Sequence, residues 1–295
     1  MNFQFSYFNK KKPKRVIILG TSGIISHNLQ KELNKKSINF LSIGRSNLNL
    51  KKKNASQILS KKIKTGDVIV FIAAEAPVKN IKMFINNLII CKTVCDSLKK
   101  KKIMHFVYIS SDAIYADVKE KITEKSITSP NSLHGLMHLS RETIIRNKFS
   151  KILCVLRPTL IYGLGDTHDG YGPNRFLKLA LKNKPIKIFG HGEERRDHIF
   201  IDDLVKIIVK CIEKKGLGDL NLASGNVYSF KYLAKEIIYL TKSKSKLVKI
   251  KRLGPLPHNG YRPFNVKLLK HYFKDIKMSS IKNGIKKYIV GLAQQ

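Results

Sequence analysis

Two histidines, His134 and His138, lie four residues apart in the stretch "SLHGLMHLSRE" (132–142). Side chains at i and i+4 are neighbours on a helix surface, so this spacing predicts two imidazoles on one face. Three chemistries are compatible with such a pair. A zinc pair of the HExxH kind would need a glutamate where Gly135 stands, and the sequence offers no evident third ligand. An acid–base dyad is chemically reasonable, because imidazole titrates near pH 6.5 without help from a neighbour. The third possibility is a site that keeps its ligands and has lost its chemistry. The last two stay open on these residues alone.

A second group of residues has the spacing of a phosphate-binding turn. "GTSGIIS" (20–26) follows the apolar run "RVIILG" (15–20) and opens a helical pattern. Gly20 permits the tight turn, and Gly23 lets the backbone approach a pyrophosphate at the helix N-terminus. Thr21, Ser22, Ile24 and Ile25 complete the turn, and Ser26 takes the third, small-residue position. The next apolar run ends in "SIGRSN", with Gly44 and Arg45 where an NAD-binding turn carries an acidic side chain. A guanidinium suits a 2′-phosphate, so the cofactor expected is NADP, with NAD as the other choice.

The elements that must position these groups follow from periodicity. Apolar runs at 15–20, 38–44, 66–74, 103–111 and 151–163 read as strands, and helical patterns cover about 24–36, 81–99 and 133–148. The continuous apolar character of "GDVIVFIAA" (66–74) is that of a strand buried on both faces. This alternation predicts an α/β fold, a Rossmann-type doubly wound parallel sheet with a smaller C-terminal substrate domain. The expected Rossmann domain covers 14–163 and about 199–224, and the substrate domain 164–198 and 225–295. A Gly-, Asp- and His-rich loop (163–174), a short helix (175–182) and a strand (185–189) open the latter. From about 225 onward the chain reads as helical and irregular.

Composition limits the function classes. The net charge is +37, from 57 basic and 20 acidic residues. That balance invites a nucleic-acid reading. However, only ten of the 57 are arginine, and the lysines are spread in short runs over the whole chain. This pattern predicts solvated faces and no nucleic-acid partner. No apolar run approaches the ~20 residues of a membrane helix, and "MNFQFSYFNKKKPKR" lacks the pattern of a signal peptide. Cys91, Cys95, Cys154 and Cys211 lie in apolar segments and form no CxxC pair. They predict buried thiols in a reduced, cytoplasmic protein.

Taken in order, "GTSGIIS", "GDVIVFIAA", "YISSDAIY" (108–115), "LRPTLIYG" (156–163), "GPNRF" (172–176), "GHGEERRDHIFIDD" (190–203) and "NLASG" (221–225) resemble the extended short-chain dehydrogenase/reductase family. Its members are NAD(P)-dependent nucleotide-sugar epimerases, dehydratases and 4-keto-reductases, and the likeness covers nearly the whole chain. The resemblance implies that Ala73, Ala74, Ser110 and Pro158 line the cofactor, and that Ser111 hydrogen-bonds the reacting sugar oxygen. Asp112 falls where 4,6-dehydratases carry an Asp–Glu pair, but Ala113 replaces the second member, which puts elimination chemistry in doubt. Asn174, Arg196 and Arg262 match positions that grip the nucleotide-sugar, and a homodimer is the expected assembly. His134 and His138 stand in place of the family's Tyr-x-x-x-Lys. The dyad reading therefore makes His134 the proton-transfer group and His138 its positioning partner. The two would lose their protons in coupled steps, with the rate changing over roughly pH 5.5–7.5. The competing reading is a catalytically degenerate protein that still binds NAD(P) and sugar nucleotide.

Overall fold

The computed structural model describes residues 2–166 and 170–294. Of the loop expected at 163–174, residues 167–169 lie outside the described residues. The strands are β1 (Gln4–Phe5), β2 (Val16–Leu19), β3 (Phe40–Ile43), β4 (Val68–Phe71), β5 (His105–Ile109), β6 (Leu153–Pro158), β7 (Leu160–Tyr162), β8 (Ile186–Phe189), β9 (Arg195–Phe200), β10 (Gly216–Leu222), β11 (Val227–Ser229), β12 (Leu247–Ile250) and β13 (Tyr261–Arg262). The helices are α1 (Ile24–Lys35), α2 (Ala55–Lys62), α3 (Ile81–Ser97), α4 (Leu133–Phe149), α5 (Pro173–Leu181), α6 (Ile201–Glu213), α7 (Phe230–Thr241), α8 (Lys267–Tyr272) and α9 (Ile281–Ala293).

Seven strands form the main sheet in the order β1-β10-β6-β5-β4-β2-β3, parallel throughout except for the edge strand β1. All residues of β2, β4 and β5 are buried, as a parallel sheet covered on both faces requires. Their side chains alternate between two cores. Val16, Ile18, Val68 and Val70 meet α1 and α6. Ile17, Leu19, Ile69 and Phe71 meet α2, α3 and α4. The chain leaves β2 toward β3 on one side and returns to β4 on the other, and this change of direction opens a crevice at the carboxyl ends of those strands.

Two expectations needed adjustment, and one helix was missed. The run at 151–163 is two strands, because Thr159 donates to Asp197 at 3.2 Å and β7 leaves the main sheet to pair with β9. The segment after 225 contains α7, α8 and α9, but also β11 and β13 on either side of β9, and β12 beside β8. These strands span two to four residues, too few to show a period-2 pattern. Helix α2 was hidden among lysines, since only Ala55 and Leu59 on it are buried. The four cysteines are free and buried, as expected.

Candidate active site

The crevice contains two cavities that share the turn Gly20–Ser22, of 440 and 420 Å³. The turn is shaped by sterics. Gly20 has φ +105°, and a Cβ there would come within 2.7 Å of the Ala73 backbone nitrogen. Ser26, fully buried, donates to the Gly20 carbonyl at 2.6 Å, so the third position of the motif packs and ties the turn at once. Gly23 caps α1 with no side-chain cap, and a Cβ on it would meet nothing within 4 Å. Unsatisfied helix N–H groups facing open space beside a small-residue wall fit a pyrophosphate, and so fit a dinucleotide.

The first cavity runs from the turn past Gly44 and Arg45 to Lys51, Ala73, Ala74 and Glu75. A Cβ on Gly44 would sit 2.0 Å from Thr21 Oγ1, so the glycine is needed where the second strand meets the turn. Arg45 is 74% exposed and lies 3.9 Å from Glu75 Oε1. The second cavity is lined by Gly23, Ile24, Ile25, Ser110, Ser111, Asp112, His134, His138 and Pro158. The structure thus brings the expected cofactor-lining residues and the expected chemistry into one continuous crevice.

Helix α4 delivers the histidines. Ser132 caps it by accepting from Gly135 N at 3.2 Å, which starts the helix just before His134. Gly135 is there for packing: a Cβ would sit 2.0 Å from the Ala113 carbonyl. Its lack of a side chain lets the first turn of α4 dock on the short 3-10 turn Asp112–Ile114. Ser111 caps that turn, its Oγ accepting from Ala113 N at 3.1 Å. The rings of His134 and His138 meet edge to face, centroids 4.8 Å apart.

The two rings have different surroundings. His138 is buried, and its Nδ1 lies 2.8 Å from the Tyr108 hydroxyl. Burial raises the Tyr108 phenol, so it keeps its proton. If Nδ1 carried the ring proton, the buried phenol O–H would be left without an acceptor. The phenol therefore donates, and the ring proton of His138 sits on Nε2. Burial, then the neighbouring charges of His134 and Arg141, push His138 well below the ordinary histidine value. His134 is also lowered by burial, against the pull of Asp112. Its one hydrogen bond among the described residues, Nδ1 accepting from Val78 N at 3.5 Å, is too long to hold it in one tautomer. The expected coupled titration over roughly pH 5.5–7.5 needed both imidazoles near their ordinary value. Here burial lowers both rings, His138 the more strongly and partly through the charge of His134, so the pair is displaced downward from that range.

Other expected residues are placed with partners. Ser110 donates at 2.6 Å to Glu142, which receives Arg157 through two nitrogens at 3.0 and 2.7 Å. Asp112 is held by Arg262 Nε at 3.1 Å, with Arg196 at 3.8 Å. Arg262 is 1% exposed and also reaches Asp117 at 2.9 Å, which ties β13 to the turn bearing Ser111. Asn174, on α5, accepts from Gly163 N at 3.0 Å. Among the described residues no cluster of three or more His, Cys, Asp or Glu could hold a metal. Sequence reasoning missed Glu75, Tyr108 and Arg141. Each lies within three residues of a motif it did read, but their roles come from contacts across the fold.

Comparison with known proteins identifies the family and the fold. The model of the NAD dependent epimerase/dehydratase family matches residues 16–223, and the chain belongs to that family. It is 25% identical to the "Uncharacterized UDP-glucose epimerase YtcB" of Bacillus subtilis (strain 168), over 95% of this chain and 98% of the relative. Its fold is similar to that of a GDP-L-fucose synthetase from Naegleria fowleri bound to NADP, with a TM-score of 0.84 at 12% identity, covering 100% of this chain and 97% of that one. It is also similar to the UDP-glucuronic acid 4-epimerase from Bacillus cereus in complex with UDP-glucuronic acid and NAD, with a TM-score of 0.81 at 18% identity, covering 95% and 99%.

Proposed function

We propose that this chain is an NAD(P)-dependent epimerase or keto-reductase of a nucleotide-activated sugar, with His134 as the proton-transfer group. The observation that carries the reading is the placement of Ser111 and His134 in the crevice that begins at the phosphate-binding turn. A bound nicotinamide supplies a hydride acceptor or donor. The protein's part is the accompanying proton. His134, neutral and free to change tautomer, takes the proton from a sugar hydroxyl as that carbon becomes a carbonyl, and returns one when a carbonyl is reduced. Ser111 hydrogen-bonds the same oxygen. His138, held by Tyr108 in a single tautomer, positions His134 through the edge-to-face contact. Asp112 is an anchor for Arg262 and Arg196 more than a free acid, consistent with epimerisation or reduction over elimination. Residues 164–198 and 225–295 make up the sugar-nucleotide half, with Arg196 as its diphosphate contact and Asn174 shaping the loop beside it.

Two further parts of the reading concern assembly and setting. Ile81, Ile85 and Ile89 form an exposed stripe along α3, at 67, 50 and 39% exposure, which supports a homodimer. Sedimentation equilibrium should then give twice the 33.6 kDa chain mass. No helix among the described residues is long and apolar enough to cross a membrane. Four free thiols support a reducing, cytoplasmic setting.

The test is turnover of a panel of UDP-, dTDP- and GDP-sugars with each cofactor, by the parent and by His134→Ala. We expect one sugar to turn over, and the variant to lose on the order of 100-fold in kcat with sugar-nucleotide binding preserved. Parent-like turnover by His134→Ala would remove the histidine from the chemistry.

A further inference from the structure

The cation thought to read a 2′-phosphate does not stand alone in its cavity. Glu75, four residues beyond the end of β4, lines the same cavity and faces Arg45 and Lys51. Its backbone is pinned in both directions by Asn87, which accepts from Glu75 N at 3.0 Å and donates to Glu75 O at 3.0 Å. Its carboxylate receives Lys51 Nζ at 2.7 Å on Oε1 and Asn86 Nδ2 at 2.9 Å on Oε2, with Arg45 3.9 Å away. Burial alone would raise this carboxyl. Hydrogen bonds from Lys51 and Asn86, and the charges of Lys51 and Arg45, overcome it and hold the group below its ordinary range. The acidic side chain absent from the end of β3 is therefore supplied by the segment that follows β4.

We propose that Glu75 is the specificity-determining residue of the cofactor site: it occupies the two cations a 2′-phosphate would use and offers its carboxylate to a ribose hydroxyl. The proposal rests on the reading that a dinucleotide fills this crevice. With Glu75 in place, a phosphate entering beside Lys51 and Arg45 meets a resident negative charge and must displace it from Lys51. A ribose carrying a free hydroxyl meets a ready acceptor. The site therefore accepts NADH and NADPH with comparable affinity, and the preference that Arg45 would impose on its own is suppressed. Arg45, 74% exposed and held only at 3.9 Å, is the more easily recruited cation, and Lys51 is the one Glu75 commits.

The test is fluorescence titration of the full-length protein with NADH and with NADPH, read as the ratio of the two dissociation constants. Glu75→Gln keeps the shape and the Asn86 contact but removes the charge. It should move the ratio toward NADPH by about tenfold, the scale of one charge-assisted contact. Lys51→Met is the second variant; it leaves the carboxylate uncompensated and should move the ratio the other way, toward NADH. A ratio unchanged within about twofold in both variants would overturn the proposal while leaving the cofactor reading intact. If the parent binds neither dinucleotide, the cofactor reading fails and this proposal with it.

Discussion

The division of labour between the two histidines can be tested at a residue neither of them contacts through the chain. Tyr108→Phe removes one hydroxyl, the group 2.8 Å from His138 Nδ1, and leaves the ring packing of Phe71, Tyr108 and His138 otherwise unchanged. A buried ring nitrogen then has no donor, at a cost of about 1–3 kcal/mol. For a chain of 295 residues the unfolding entropy is roughly 0.6 kcal/mol/K, so the melting temperature should fall by about 2–5 °C. A merely structural contact would predict the same loss of stability. The distinguishing readout is the tautomer. In the parent, the long-range nitrogen–proton NMR spectrum should show His138 with a bare Nδ1 and a protonated Nε2, assigned by the signal lost in His138→Asn. In Tyr108→Phe the proton should be shared between both nitrogens. With His134 less firmly aligned, kcat should fall by about tenfold, equivalent to 1.4 kcal/mol, while KM for the sugar nucleotide changes little. A parent His138 with its proton on Nδ1, or a variant with unchanged kcat and tautomer, would refute the assignment.

Two other outcomes are expected. Arg196→Ala should weaken binding of the sugar nucleotide, measured by calorimetry, with dinucleotide affinity unchanged; an unaltered sugar-nucleotide affinity would remove Arg196 from the site. Stability should fall as pH drops from 7 to 5. Burial depresses His105 to about 4 and His198 to about 3, so the unfolded chain binds more protons in this window and acid favours unfolding. Asp197, raised by burial to about 6, works in the opposite direction over part of the range. These three groups alone give a loss of about 2 kcal/mol by pH 5, and the lowered His134 and His138 act in the same direction; a urea midpoint unchanged between pH 7 and 5 would contradict it.

How much of this was legible in the sequence depended on whether the signal was local. Strands β2, β4, β5 and β6 were readable because each is buried along its whole length and apolar at nearly every position, whereas β1 and the polar-interrupted β10 of the same sheet were not read. The phosphate turn was readable because Gly20 and Gly23 answer to backbone geometry within seven residues. Gly135 was read as a missing glutamate, yet its reason is the Ala113 carbonyl, 22 positions away in the chain. The same holds for Glu75, which follows "IAA" directly in sequence but acts on Arg45 and Lys51 from the segment after β4. Short strands such as β11 and β13 exist because β9 offers them edges, and nothing in their own residues announces it. Arg262 was legible as a cation, but only the fold shows it buried against Asp112.

Set against the Tyr-x-x-x-Lys that the family resemblance implies, the two histidines differ in where the positive charge sits. A lysine at position 138 would place an ammonium beside Arg141, whose guanidinium is buried, stacked 4.2 Å over Phe71, and bonded at 2.7 Å to the Ala73 carbonyl, with no carboxylate pairing it among the described residues. Two cations in one buried pocket repel strongly, because little solvent screens them. A neutral imidazole at 138 removes that conflict and keeps a fixed positive charge under the site in Arg141. If His134 is the proton-transfer group proposed above, no cation is needed to activate it, since burial already lowers its ring from the ordinary histidine value. Tyr108 completes the arrangement by fixing the tautomer that a lysine would not have. The two departures at 134 and 138 thus go together with the buried Arg141 as one electrostatic arrangement, with Tyr108 as the residue that fixes the tautomer.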